Sequence, residues 1–156
     1  MLASGYQESF NIRYRGMEDT QVSQILTQIH NGELLMVNDR HRGGVILIKP
    51  FYAEFAGPGA AFGGIFDRDC QQIIPVADFC VITPQSSQDR VKAYNIRQQW
   101  VRLLHQLTSQ ESSLARCSML LTHLEHYFSA EIVAQLPDDI LSLLIGVFPH
   151  TIRHAR

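Results

Sequence analysis

The sequence predicts an α+β fold, with a β-rich N-terminal part, a long helix and a smaller helical part in that order. Three observations predict it. Short apolar runs separated by turn residues fill the chain up to residue 85, the periodicity changes abruptly to helical at Ser86-Ser87, and helical spacing continues after residue 110. The divisions that follow are a β-rich domain over 1–85, a long helix over 86–110 and a helical domain over 111–156. Several short strands with turns at short intervals suggest a small barrel or sandwich for the first part.

Phe10, Ile12 and Tyr14 alternate as in a strand and predict an N-terminal edge strand. Val22, Ile25, Leu26 and Ile29 then fall on one helical face that ends at Asn31-Gly32. The same segment also reads as a strand with Asn31-Gly32 as a hairpin turn, and both readings stay open. From Glu33 the β signal is firmer: Leu34 to Val37, Val45 to Ile48 after the turn residues Arg42-Gly43-Gly44, and Phe51 to Phe55 after Pro50. Gly57-Pro58-Gly59-Ala60-Ala61-Phe62-Gly63-Gly64 reads either as a weak phosphate cradle or as a tight corner between strands. Ile73 to Val76 and Phe79 to Ile82 close the β part before Thr83-Pro84.

Serine at position 86 or 87 caps a helix running from about Gln88 to Gln110, with Asp89 in its first turn. It carries one apolar stripe through Val91, Tyr94, Val101 and Leu104 and another through Ile96, Trp100, Leu103 and Leu107. One stripe packs on the β part. The other either is buried within the chain or meets a partner's copy of the same helix, which makes Val91, Tyr94, Val101 and Leu104 the dimerisation candidates. Ser112-Ser113 caps the next helix, where Leu114, Cys117, Leu121, Leu124 and Phe128 share a face and Arg116, His123 and Glu125 stay outside.

The last stretch, Leu136 to Arg156, reads as two short helices. Pro137-Asp138-Asp139 starts the first, Gly146 permits the positive φ that ends it, and Pro149 begins the second. The second is polar and cationic around Ile152. This is the shape of a helix-turn-helix and equally that of an amphipathic helical hairpin. In the first case His150, Thr151, Arg153, His154 and Arg156 are the candidate DNA contacts.

Composition narrows the classes. With 46% apolar and 18% charged residues the chain is of ordinary soluble globular type, neither disordered nor fibrous. No stretch is long and apolar enough to span a bilayer, and MLASGYQESF lacks the features of a signal peptide, so a cytoplasmic protein without a membrane partner is expected. A net charge of −2 does not advertise nucleic-acid binding by the chain as a whole, so any DNA contact belongs to the local patch at the end, with Arg116 upstream. Cys70, Cys80 and Cys117 lie far apart and show no metal-binding spacing, which points to free thiols in a reducing compartment. His123 and His126, at i and i+3 on one helix, read as a metal pair or as a solvated pair. No serine, cysteine or carboxylate has a recognisable base partner, so no enzyme, metal or cofactor is expected.

The order of these parts, with FAGPGAAFGGIF in the β half and DDILSLLIGVFPHTIRHAR at the end, resembles the Crp/Fnr family of transcription regulators, in a form like those of cyanobacteria. The resemblance runs from about residue 29 onward. It rests on Asp139-Ile140, Leu144-Ile145-Gly146, Thr151-Ile152 and Arg153 at the end, and on Gly57-Pro58-Gly59 and Phe62-Gly63 in the β half. It implies a β-roll or jelly-roll sensor domain like those that bind cyclic nucleotides, a long dimerisation helix, and a helix-turn-helix reading paired DNA half-sites.

Two departures accompany it. Gly64 stands where the family's cyclic-nucleotide binders place a glutamate, and Gln71-Gln72 where they place an arginine step, with Arg68 nearby; no cyclic-nucleotide response is expected. At the other end Pro149 and His150 occupy positions of base-reading residues, and the sequence stops within the expected recognition helix, before a wing. The resemblance therefore implies a dimeric, DNA-binding transcriptional regulator without cyclic-nucleotide response. The alternative is a shortened, degenerate paralogue that does not bind DNA and works by protein contact, as a heterodimer partner or a component of a larger complex.

Overall fold

Helix α1 (Asp19–His30) shows how local chemistry sets an element boundary. Gln21 Oε1 accepts the Glu18 N–H at 3.1 Å, closing the first turn, and Ile25 and Ile29, one turn apart, are buried against the β strands that follow. The helical reading of this segment holds, and its hairpin alternative does not. The computed structural model describes residues 17–156; the edge strand expected through Phe10, Ile12 and Tyr14 lies outside the described residues.

Six short strands follow: β1 (Leu34–Val37), β2 (Gly43–Ile48), β3 (Ala53–Ala56), β4 (Ala61–Gly63), β5 (Gln72–Ala77) and β6 (Val81–Ile82). They form two antiparallel three-stranded sheets, ordered β4-β1-β6 and β3-β2-β5. Strand β2 is central and buried along its whole length, which is why Val45 to Ile48 is an unbroken apolar run and does not alternate. Pro75, opposite Val45, sits on β5, an edge strand where its missing N–H costs no ladder bond. Phe51 and Tyr52, expected within a strand, belong to the exposed turn between β2 and β3. The Gly57–Gly64 stretch contributes the corner and the short strand β4.

Helices α2 (Ser87–Thr108), α3 (Ser113–Tyr127), α4 (Ala130–Ala134), α5 (Asp138–Ile145) and α6 (Pro149–Ala155) complete the described chain. The serine caps are where the sequence places them: Ser86 Oγ accepts from Asp89 N at 3.1 Å and Ser112 Oγ from Ala115 N at 3.2 Å. The connection after Phe128 contains a helical turn, α4, capped by Ser129. Gly146 ends α5 at φ 64°, a left-handed conformation that a Cβ would strain. On α3, Leu120 joins Cys117, Leu121 and Leu124 inside, while Leu114 lies exposed.

One apolar core runs through both parts. It links Ile29, Phe55 and Ile74 of the β half to Trp100 and Leu107 of α2 and to Leu120, Ile140 and Ile152 of the terminal helices. Phe55 is its hinge point, with edge-to-face contacts to Trp100 at 4.8 Å and Phe128 at 5.7 Å between ring centroids. Gly57 makes the seating of α2 possible: a Cβ there would lie 2.3 Å from the Trp100 indole. No described helix is long and apolar enough to cross a membrane.

Candidate functional site

Helix α6 carries the residues expected to meet DNA. It starts at Pro149, whose fixed φ and missing N–H suit a first turn, and it is anchored by Ile152, fully buried at 0% exposure. Its outward positions hold His150, Arg153 and His154, all exposed, with Thr151 half-buried. The His150 ring stacks on Phe148 at 5.7 Å and 10°. Arg156 turns inward. Its Nε donates to Asp138 Oδ1 at 2.8 Å, Nη1 donates to the Val133 carbonyl at 3.2 Å, and Nη2 donates to the Leu136 carbonyl. Arg153 Nε lies 3.5 Å from the other oxygen of Asp138, with its own side chain 75% exposed. One carboxylate at the start of α5 thus engages both arginines of the expected DNA patch, and Arg156 also donates to backbone carbonyls in and just after α4.

The four dimerisation candidates do not share one environment. Val91 is 61% exposed and Tyr94 39%, Val101 is half-buried, and Leu104 is inside the chain's own core. The buried face of α2 is Ala93, Arg97, Trp100, Leu104 and Leu107, which takes members from both expected stripes. Leu104 therefore packs in the chain's own core, for a helical reason: positions 97, 100, 104 and 107 point one way at i, i+3, i+7 and i+10. The outward side of α2 beyond Val91 is polar, with Asn95, Gln99 and Arg102 exposed.

The sequence reading missed a cluster of buried charge where α2 meets the β half. Arg97 grips Asp67 with both prongs of its guanidinium, Nη1 to Oδ2 at 3.0 Å and Nη2 to Oδ1 at 3.1 Å, and also donates to the Ala61 carbonyl at 3.2 Å and to the Glu54 carboxylate. Lys49 Nζ completes the cluster with bonds to the Phe66 carbonyl and Asp69, both 2.8 Å, and to Asp67 at 3.0 Å. The Gly63 N–H donates to Asp67 Oδ2 at 2.7 Å. Asp67 is 0% exposed, Lys49 3% and Arg97 6%. Burial by itself raises the Asp67 carboxyl, but the hydrogen bonds and charge of Arg97, then of Lys49, outweigh it and hold the carboxyl below its ordinary range. Burial likewise opposes the charged forms of Lys49 and Arg97, and their carboxylate partners push both upward overall. Arg97 Nε is buried without a hydrogen-bond partner.

A cavity of about 210 Å³ opens beside this cluster, walled by Tyr52, Phe66, Tyr94 and Val101 as well as by Lys49, Glu54 and Arg97. Phe66 and Tyr94 lie 5.5 Å apart across its mouth. Its two cations are matched by Asp67 and Glu54, so the cavity offers no surplus positive charge to a phosphate. The signal that could have revealed the cluster is Arg97 itself, which falls at the spacing of the apolar face of α2.

Cys70 and Cys117 are buried and Cys80 half-buried, all free. Burial, then the nearby Asp67 charge, pushes the Cys70 thiol up to about 12. His123 is half-buried and His126 exposed, and no group of three or more potential ligands for a metal ion occurs among the described residues. Comparison with protein-family models, curated proteins and solved structures gives no match for this chain.

Proposed function

We propose that this chain is a regulatory subunit of Crp/Fnr type that works as a dimer through protein contact and does not read DNA. Its β half takes the place of the family's jelly-roll sensor, and α5 and α6 that of the helix-turn-helix. The observation that carries this reading is the engagement of Arg153 and Arg156 by Asp138. Phosphate binding draws on free cations, and here a carboxylate of the same chain competes for both arginines of the expected patch. The balanced charge beside the cavity supports the absence of a cyclic-nucleotide response in the same way.

A titration of labelled mixed-sequence duplex at low salt, followed by fluorescence anisotropy, tests the reading. No binding is the expected result. Salt-dependent binding that is lost on Arg153→Ala would overturn it in favour of the second reading, a DNA-contacting regulator. That second reading is favoured by one observation: His150, Arg153 and His154 all stand on the exposed side of α6.

A further inference from the structure

One donor of Arg97 stands unpaired inside the protein. Its two terminal nitrogens bind Asp67, Glu54 and the Ala61 carbonyl, while Nε is the one buried side-chain nitrogen or oxygen among the described residues without a hydrogen-bond partner. Buried donors are nearly always matched, so an unmatched one on a residue 6% exposed marks a place where an acceptor belongs. Arg97 forms part of the wall of the cavity of about 210 Å³ beside the cluster. Glu54 belongs to the same wall and binds Arg97 through Oε2, which leaves Oε1 as an acceptor. An unpaired donor and an available acceptor thus border one enclosed space.

We propose that this cavity is a binding site for a small uncharged planar molecule carrying an amide or lactam, whose carbonyl accepts from Arg97 Nε and whose N–H donates to Glu54. The site requires neither a dimer nor DNA and stands apart from the reading above. Size, charge and lining select the class. An engineered cavity of about 150 Å³ holds benzene, and drug-sized ligands occupy about 300–1,000 Å³, so the volume here suits one ring with a polar substituent.

Charge removes the ionic alternatives. An anion would face the Asp67 and Glu54 carboxylates and a cation would face Lys49 and Arg97, and these four already pair with one another. A neutral ligand meets no charge of its own sign. The rest of the wall suits a ring, because Phe62, Phe66, Tyr94 and Val101 offer aromatic or aliphatic surface. Phe66 and Tyr94 stay 57% and 39% exposed although their rings meet at 5.5 Å, which leaves apolar surface at the mouth for a ligand to cover.

Proton–nitrogen correlation NMR of the labelled full chain tests the proposal, because the Arg97 Nε–H carries its own resonance. The probes are benzamide and 2-pyridone, with benzoate and toluene as the charged and the apolar counterparts. Both amides are expected to move the Arg97 Nε–H resonance saturably with a Kd of about 1 mM, as suits molecules of so few atoms. Benzoate and toluene should bind at least about 10-fold more weakly, since each lacks part of the hydrogen-bond match or brings a like charge. Gln98→Trp, at a half-buried wall position of α2 outside the charge cluster, fills the cavity and should abolish the shift, and a thermal melt checks that the variant folds. Absence of a saturable shift with both amides up to about 10 mM overturns the proposal, as does binding of benzoate or toluene that equals theirs. A folded Gln98→Trp variant that still binds overturns it too; if that variant does not fold, the titrations of the unaltered chain decide.

Discussion

Replacing Asp67 by Asn removes the charge at the centre of the buried cluster while keeping its shape. Four donors converge on the Asp67 carboxylate: both terminal nitrogens of Arg97, Lys49 Nζ and the Gly63 N–H, at 2.7 to 3.1 Å. An amide presents one acceptor oxygen and an NH₂ group, so at least one donor of Arg97 or Gly63 meets another donor in a site closed to water. Arg97 and Lys49 keep Glu54 and Asp69, but Asp69 is half exposed and Glu54 touches only one prong. Breaking a buried ion pair in this way costs about 3–5 kcal/mol. Against a typical domain stability of about 5–15 kcal/mol, that is a large fraction of the total. Guanidinium unfolding followed by tryptophan fluorescence reads it through Trp100, as a lower midpoint at unchanged slope. The comparison variant is the triple apolar replacement Lys49→Met, Asp67→Leu, Arg97→Met, which removes the three buried charges together; the Gly63 N–H and the Glu54 carboxylate still lose a partner, so it should recover part of the stability. A loss below about 1 kcal/mol for Asp67→Asn would refute the reasoning, because a surface pair costs that much.

Three further outcomes follow from the same contacts. Because Asp67 is held below its ordinary range when folded, its contribution to stability is full above the unfolded carboxyl value near pH 4 and is lost as pH falls through the folded value; the acid limb of a stability–pH curve should flatten in Asp67→Asn. Gly57→Ala places a methyl group on the Trp100 indole and should cost about 1–3 kcal/mol by overpacking, seen as a lower melting temperature. Thiol labelling of the folded protein near neutral pH should modify Cys80 and spare Cys70 and Cys117, with mass spectrometry counting the adducts and denaturant exposing the other two.

Much of the helical part was legible in the sequence because caps and breakers act locally. Ser86, Ser112 and Gly146 mark boundaries through bonds or dihedrals that involve residues within one turn, so no knowledge of the fold was needed to place them. Strand limits were less legible. Phe51 and Tyr52 have the composition of a strand, yet the register of β2 with β3 begins at Ile48 opposite Ala53 and leaves them in the turn. The charge cluster escaped for a different reason. Its members come from Lys49 just past the end of β2, from β3, from the segment after β4 and from α2, and a buried charge is recognisable only when its partners, here 17 to 43 residues away, are known. The contacts of Arg156 escaped similarly: an arginine at the end of a short polar helix shows nothing of Asp138 or of the carbonyls of Val133 and Leu136 until the chain is folded.

The cluster also bears on how the long helix finds its place. The buried face of α2 is mostly apolar, and apolar positions four residues apart such as Trp100 and Leu104 both fit an interior, although the space that Gly57 leaves already favours the indole. Arg97 does not tolerate a slip of one turn. A shift by one turn in either direction would set Ala93 or Val101 opposite Asp67, leaving a carboxylate with 0% exposure facing a methyl group while Arg97 lost both prongs of its contact. That penalty adds to whatever apolar packing a slip would lose. The energetic role of the charges is therefore mainly discrimination: they add little beyond what well-packed apolar residues would supply in the correct register, and they make the incorrect ones costly. The position of α2 in turn sets that of Tyr94, Arg97 and Val101 in the wall of the cavity.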